Sequence, residues 1–494
     1  MPSVVLAIDQ GTTGTTAALF DEKGSVVGKV NREFRQIYPR PGWVEHDLED
    51  IWNSVLQAVR QVVEQSGVSP SDIAAIGITN QRETTCLWDA ETHEPLHNAI
   101  VWQCRRTAGM CDQLRRQGYE ELFRKKTGLV LDPYFSGTKL AWMLQNSEKL
   151  RKAVDAGRAR FGTIDSFVAW RLTSGRAHVT DVSNASRTLM MDIHKLDWDD
   201  ELLGVLGIPG TVLPRIVSNT ERVGETKGVG VIPDGIPVCG MAGDQQAALF
   251  GQCCFSPGQV KCTYGTGAFV LMNTGAEPVE SSNGLLTTVA WKLGGRAVYA
   301  LEGSVFIAGA AVQWLRDGLG IIKSSAEVEE LARQVDSSDG VVFVPALVGL
   351  GAPRWNPDAR GLVCGITRGT TAAHLARATL EGIALQVRDV VGAMGADAGR
   401  NIELLRADGG AAANDLLMQF QADVLGVQID RPVVIETTAM GAAMLAGLGA
   451  GLWRDTAQLQ DVWKAERTFS PSMPAEQAGK HIENWEKALA MLSR

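Results

Sequence analysis

One pattern occurs twice in this chain. It opens with "VVLAIDQGTTGTTAALF", Val4 to Phe20, an apolar run that ends in an acid, a Gly-Thr turn and a second apolar run. After Pro257 the same form restarts in "GQVKCTYGTGAFVLMNTG", where "TYGTG" spans Thr263 to Gly267. The restart organises the chain into two halves, each opening with strand, Gly-Thr turn, strand. At 494 residues the chain is also too long for one ordinary core, and two domains of roughly 250 residues are expected. The boundary falls near residue 250, giving units 1–250 and 251–494.

Periodicity places the elements. Val4 to Ile8, Thr16 to Phe20 and Ser25 to Val30 read as a three-strand meander, with "DEKG" as a turn. "EDIWNSVLQAVRQVVEQSG" carries apolar residues at helical spacing, and Gly67 is placed to end that helix. "IAAIGIT" is a buried strand, and residues 107 to 146 are mainly helical around "GLVLDPYFSG". In the second half "LLTTVAW" and "AVYALEG" add strands. Helices are expected at 308–317, 326–335 and 374–394, and "IELLRADGGAAANDLLMQFQADVLG" reads as strand, Gly turn, helix.

Composition excludes several classes. The net charge of −9, with Lys and Arg scattered, argues against a nucleic-acid partner. The eight Cys form no C-x-x-C pair and mostly lie in apolar runs, which reads as buried reduced thiols. The longest apolar run, Ala439 to Trp453, is Gly-rich and shorter than the roughly 18 residues of a membrane-spanning helix. No basic leader precedes the first strand. A cytoplasmic protein with no membrane partner is expected.

The chemistry begins at Asp9. A Gly after a strand lets the backbone turn tightly and face amide N–H groups toward an anion, and Thr12 and Thr13 add hydroxyl donors. An acid beside a phosphate cradle is repulsive unless a cation lies between. Mg²⁺ takes one or two carboxylates together with substrate phosphates. A plain hairpin with a hydrophilic tip is the other reading of this segment alone. "DGGAAAND", Asp408 to Asp415, is either a tightly packed helix start or a flat seat for a base and ribose. Neither G-x-x-x-x-G-K-[ST] nor D-F-G occurs, which disfavours P-loop enzymes and protein kinases.

From about residue 4 to beyond residue 450 the chain resembles the FGGY family of carbohydrate kinases, in particular its glycerol-phosphorylating members. The resemblance rests on "DQGTT", "YPRPGWVEHD", "IAAIGITNQRETT", "NAIVWQCRRT", "DPYFSGTK", "HVTDVSNASRT", "AGDQQAALFGQ", "TYGTG", "LEGSVFIAGAAVQWLRD", "GLGAPRWNPDARG" and "DGGAAANDLLMQFQADVLG". It implies two actin-like, ribonuclease-H-like domains, each a mixed sheet flanked by helices, with the active site in the interdomain cleft. ATP and Mg²⁺, a glycerol acceptor and a homodimer or homotetramer are implied with it.

The resemblance also assigns roles. Asp244 matches the catalytic base, although a helix N-cap is its ordinary reading. A carboxylate at a helix N-terminus is a weak base, which the loose transition state of phosphoryl transfer tolerates. Arg82 and Glu83 form either a charged turn or a donor–acceptor pair for neighbouring hydroxyls, Arg donating and ionised Glu accepting. Tyr134, Asp244 and Gln245 complete the implied polar set. Trp102 and Phe269, otherwise core aromatics, match the wall against the carbon chain. Asp9 matches the metal position. Thr12, Thr13, Gly14, Thr266, Gly309, Gln313, Gly410 and Asn414 match nucleotide contacts, although Gln313 alone reads as an exposed helix residue.

Two departures stand out. Where the family's first loop commonly continues "DQGTTSSR", this chain has "DQGTTGTT": Gly14 replaces a Ser, and Thr16 replaces an Arg that reaches nucleotide phosphates. Weaker nucleotide or transition-state binding is expected from the loss of that charge-assisted contact. Gly235 stands where family members inhibited by fructose 1,6-bisphosphate have an Arg, so weak or absent feedback is expected. A kinase of another polyol or a ketose, and an actin- or chaperone-like ATPase, are the competing functions. The polar acceptor set of "NQRE", Tyr134 and Asp244 separates a kinase from the ATPase.

Overall fold

The computed structural model describes residues 3–492. Strand Val4–Gln10 pairs antiparallel with Gly14–Phe20, and that strand with Val26–Glu33. On its other side Val4–Gln10 runs parallel to Ile73–Asn80, which runs parallel to Pro237–Gly243. The second half repeats the order. Gln259–Tyr264 pairs antiparallel with Ala268–Gly275, and that strand with Arg296–Val305. Its other edge runs parallel to Leu404–Asp408, followed by Gln428–Pro432. Each sheet thus has three antiparallel strands extended by two parallel ones; the two-residue edge strand Gly224–Glu225 makes six in the first, and edge strands Leu286–Leu293 and Ala465–Phe469 make seven in the second. This is the two-domain mixed-sheet α/β fold that the family resemblance implies.

Local chemistry explains the elements. Asp47 caps helix Leu48–Ser66 by accepting from the Glu49 amide, and Gly67 ends it at φ 70°. The helix buries Ile51, Val55, Ala58, Val59 and Val62 against the first sheet. A lobe between the parallel strands of the first half carries a four-stranded sheet and the helices Ala108–Arg116, Glu120–Thr127 and Ser136–Asn146. The helix expected at 326–335 is shorter, Glu327–Ala332, and the one at 374–394 is longer, Ala372–Ala398. All eight cysteines are free; Cys364 is half-buried and the others are buried.

The Gly-rich apolar run is the helix Thr437–Ala450, buried nearly all round, as befits a helix without a polar face. It belongs to the second half of the sequence yet packs on the first sheet and on helix Asp244–Gly251. The approach is close: a Cβ on Gly441 would lie 1.8 Å from the Ala247 carbonyl oxygen, and one on Gly77 would lie 2.2 Å from that of Ala442. Met440, Ala443 and Met444 share one apolar cluster with Val5 and Ala7 of the first sheet and Leu271 and Ala300 of the second. Among the described residues no helix is long and apolar enough to cross a membrane.

Candidate active site

Three parallel strands of the first sheet end side by side. Asp9 is level with Thr79, and Thr79 with Ala242, so Asp9 and the residues after Gly243 flank one strand end. With strands about 4.8 Å apart, the chain positions of Asp9 and Ala242 are roughly 10 Å from each other. The two carboxylates feel one another. Burial first, then the Asp244 charge, pushes the Asp9 carboxyl up to about 7.

Asp244 is not an N-cap. Gly243 takes that position, with φ −61° and ψ 150°, and Asp244 is the first residue of helix Asp244–Gly251. Its Oδ1 accepts the Gln245 amide at 2.7 Å and lies 3.1 Å from Arg82 Nε. The side chain is 31% exposed, so part of the carboxylate stays open to solvent.

Arg82 and Glu83 form the turn after strand Ile73–Asn80, and both are buried. Glu83 sits at φ 60°, a left-handed conformation that costs a non-Gly residue of order 1–3 kcal/mol. Arg82 Nη1 and Nη2 donate to Glu302 Oε2 and Oε1 at 2.5 and 3.0 Å, and Nη1 also donates to Gln246 at 3.2 Å. Arg187 Nε donates to Glu83 Oε1 at 2.7 Å, and its Nη2 donates to Glu302 Oε1 at 2.9 Å. Burial opposes the charge of Glu302, but the guanidinium groups of Arg187 and Arg82 outweigh it and hold its carboxyl at about 2. Burial raises the Glu83 carboxyl, and Arg82 and Arg187 oppose that rise.

The aromatic wall stands beside this cluster. Trp102 meets Tyr134 edge to face at 5.5 Å, and the Arg187 guanidinium lies 5.7 Å from the Tyr134 ring. Burial, reinforced by Glu83, raises the Tyr134 phenol, which stays neutral. Phe269 comes from the second sheet, where the register sets it opposite Thr263 and Ser304. Period-two alternation puts it on the same face as Lys261 and Glu302. Lys261 Nζ donates to Gln245 and, at 3.0 Å, to the Thr263 hydroxyl, so it ties the start of helix Asp244–Gly251 to the second Gly-Thr strand.

Thr266, Gly309, Gln313, Gly410 and Asn414 line one cavity of about 440 Å³ in the second half. The Gly309 amide bonds the Gly265 carbonyl at 3.0 Å, and Gly409 turns the chain at φ 85° before the cavity floor. Asn414 caps helix Asp415–Leu425 through Oδ1, which leaves its amide nitrogen for a ligand. Thr12, Thr13 and Gly14 lie outside this cavity, in the first turn. Thr12 accepts the Trp102 indole N–H at 2.9 Å, Thr13 is exposed, and Gly14 packs beneath the turn against the Arg32 carbonyl. Thr16 pairs directly across the hairpin from Asp9. Gly235 turns at φ 93° with open space around it.

Asp9 fits a metal ligand. Among the described residues its carboxylate has no hydrogen-bond donor, it is half-buried, and a second carboxylate faces it. No group of three or more metal-ligating side chains occurs among the described residues. A carboxylate without a donor suits Mg²⁺, which takes few protein ligands and completes its shell with water and phosphates.

Sequence reasoning missed Arg187, Glu302, Lys261 and Glu329. Glu329 lines the same cavity as Gln313 and Asn414 and accepts from the Asp415 and Leu416 amides at 3.2 and 3.3 Å. A signal existed for two of them. Glu302 interrupts the strand "AVYALEGSV", and Arg187 precedes "TLMM"; a charge within an apolar run requires a buried partner.

Asp244 with the ion-paired Arg82 and Glu83, the undonated carboxylate of Asp9 and the cavity of the second half fit an ATP-dependent phosphotransferase of small alcohols. The chain belongs to the FGGY family of carbohydrate kinases: residues 4–251 match its N-terminal domain and residues 260–450 its C-terminal domain. It is 57% identical over 486 residues to glycerol kinase 2 of Thermotoga maritima, covering 98% of each chain. It is 58% identical over 487 residues to glycerol kinase of Myxococcus xanthus, again covering 98% of each. The crystal structure of Plasmodium falciparum glycerol kinase with ADP superposes with a TM-score of 0.94 at 37% identity, covering 99% of this chain and 98% of that one.

Proposed function

We propose that this protein transfers the γ-phosphoryl group of ATP to glycerol, giving sn-glycerol 3-phosphate and ADP. The observation that carries this reading is the convergence of Asp244, Arg82 and Glu83 in one ion-paired cluster beside Asp9. After its internal bonds and the Nε ion pair with Asp244, Arg82 keeps one Nη2 hydrogen, Glu83 keeps Oε2, and the Tyr134 hydroxyl has no partner among the described residues. Donors and acceptors therefore alternate over a short span, as three adjacent hydroxyls require. Trp102 and Phe269 cover the carbon chain.

Asp244 accepts the proton of the attacking hydroxyl. Its Oδ1 is held by the Gln245 amide, so Oδ2 is the oxygen that takes the proton. The transition state is loose, and placement of the hydroxyl in line with the phosphoryl group does most of the work. Asp9 would hold Mg²⁺, which supplies neutralising charge to the nucleotide phosphates when bound. The second Gly-Thr turn and the cavity around Gly309 and Gly410 seat the nucleotide. Approach of the two halves around both substrates excludes water and limits hydrolysis of ATP.

The test is ADP release measured with glycerol and with a panel of other polyols and ketoses, Asp244→Asn serving as control. Turnover should depend on glycerol and fall by about 10²- to 10⁴-fold in the Asn variant. ADP release without any polyol would sink the reading, and preference for a ketose would redirect it.

A further inference from the structure

Arg82 and Glu83 do not hold themselves in place. Two residues behind them fix which of their atoms face the cleft. Glu302 reaches from strand Arg296–Val305 of the second half and engages both terminal nitrogens of Arg82. The Nε edge of Arg82 is left toward Asp244. Arg187, just after the short helix Val182–Ala185, engages Oε1 of Glu83 and leaves Oε2 without a donor among the described residues. Arg187 and Glu302 also bond each other, so two guanidinium and two carboxylate groups close one neutral set.

We propose that Glu302 and Arg187 are positioning residues of the acceptor pocket: they orient Arg82 and Glu83 so that each presents one fixed edge to the substrate hydroxyls. The inference rests on the reading that Arg82 and Glu83 hold the acceptor. Three observations support it. All four side chains are at most 2% exposed, and burying four charges is an unfavourable way to stabilise a core that apolar residues could fill. Glu83 is held at positive φ, so its geometry depends on an outside restraint. Glu302 is the member supplied by the second half, so the pocket is complete only when both halves are in place. Its strand continues toward Gly309 of the nucleotide cavity, which connects the two substrate sites through one element.

The test uses the full-length protein and steady-state kinetics in both substrates. Glu302→Gln keeps the shape but removes the charge that aligns Arg82, and Arg187→Lys keeps the charge but removes the Nε donor to Glu83. Each should raise KM for glycerol at least tenfold, lower kcat less than threefold and leave KM for ATP within twofold. Glu302→Asp should recover part of the glycerol KM. Folded variants with unchanged glycerol KM, or with both KM values raised together, would overturn the proposal. Loss of folding in both variants would overturn it too, in favour of a structural role. Arg82→Met and Glu83→Gln separate the two levels. If they leave glycerol KM unchanged, the acceptor reading itself fails; if they raise it while Glu302→Gln and Arg187→Lys do not, only this inference fails.

Discussion

The indole N–H of Trp102 donates to the Thr12 hydroxyl at 2.9 Å, so the ring proposed to cover the acceptor is tied directly to the first Gly-Thr turn. The bond has two consequences. The Trp102 donor is engaged and cannot serve the acceptor, which meets only the ring. The Thr12 hydroxyl receives a proton from Trp102, so its own proton is free to point toward a phosphate oxygen.

Trp102→Phe should therefore act on nucleotide use more than on the acceptor. The ring that covers the carbon chain is retained, and the bond that orients Thr12 is lost. A neutral hydrogen bond contributes about 0.5–1.5 kcal/mol, which corresponds to about a two- to tenfold loss in kcat/KM for ATP. KM for glycerol should change less than twofold. Steady-state kinetics in both substrates check this, and a glycerol-specific defect would show that the indole N–H reaches the acceptor.

How far the site was legible depends on the kind of signal. Asp9, Asp244, Thr266 and Asn414 each sit at a strand end or helix start, and a turn within a few residues announces them. Thr266, Gly309, Gln313, Gly410 and Asn414 line one cavity, whereas Thr12, Thr13 and Gly14 lie outside it, in the first turn. Arg187 and Glu302 pair across 115 residues, and Arg82 and Glu302 across 220. No local period encodes such a pair; only the charge inside an apolar run marks it. Helix Thr437–Ala450 was equally opaque. Its Gly-rich run excluded a membrane span but not more, because the partner, helix Asp244–Gly251, lies nearly two hundred positions earlier.

Thr16 faces Asp9 across the opening hairpin, on the same side of the sheet, and its hydroxyl accepts from the Asn31 amide at 3.0 Å. Neither Gly-Thr turn carries a cation. Arginine at this position would stand beside the unpaired Asp9 carboxylate and within reach of phosphates bound at the turn. Thr16→Arg should raise kcat/KM for ATP about fivefold to thirtyfold, the value of one added charge-assisted bond of roughly 1–2 kcal/mol. An unchanged kcat/KM would mean that the chain loses nothing by having Thr there.

Gly441 marks where stability and the site meet. A methyl group there would overlap the Ala247 carbonyl oxygen at 1.8 Å, and a Cβ on Gly251 would overlap the Thr437 carbonyl at 2.1 Å. Helices Thr437–Ala450 and Asp244–Gly251 therefore cross backbone to backbone, and the second of them begins at Asp244. Gly441→Ala must push them apart, at a cost of about 1–3 kcal/mol or more, and should lower both the apparent melting temperature and kcat. Gly479→Ala is the control: it lies on the exposed helix Ala475–Leu492 with nothing within 4 Å, and gains up to about 1 kcal/mol from helix propensity. Equal thermal shifts in the two variants would contradict the close crossing.

His46 gives the chain an acid-sensitive point beneath the first turn. The ring is fully buried, and its neutral form is satisfied on both nitrogens. Nε2 donates to Gln36 Oε1 at 2.8 Å, and Nδ1 accepts from the Gln81 amide at 3.3 Å. Protonation would set an N–H against that amide, and burial lowers the imidazole from 6.5 to about 4. Between those values the unfolded chain binds more protons than the folded one, so this group's contribution is full above about pH 6.5 and is lost as pH falls toward 4. The difference of about 2.5 units corresponds to roughly 3 kcal/mol over that window. Asp9 and Asp165, both pushed up to about 7, act with the opposite sign, because the folded state binds their protons more tightly over the same range. A single melting curve against pH sums these effects, so the comparison must isolate one. Unfolding free energies of the native chain and of His46→Gln, measured from pH 7.5 to 4.5, should differ least at the acid end. The advantage of His46 should shrink steadily below pH 6.5, and an advantage constant across the series would show that the buried imidazole takes up its proton without penalty.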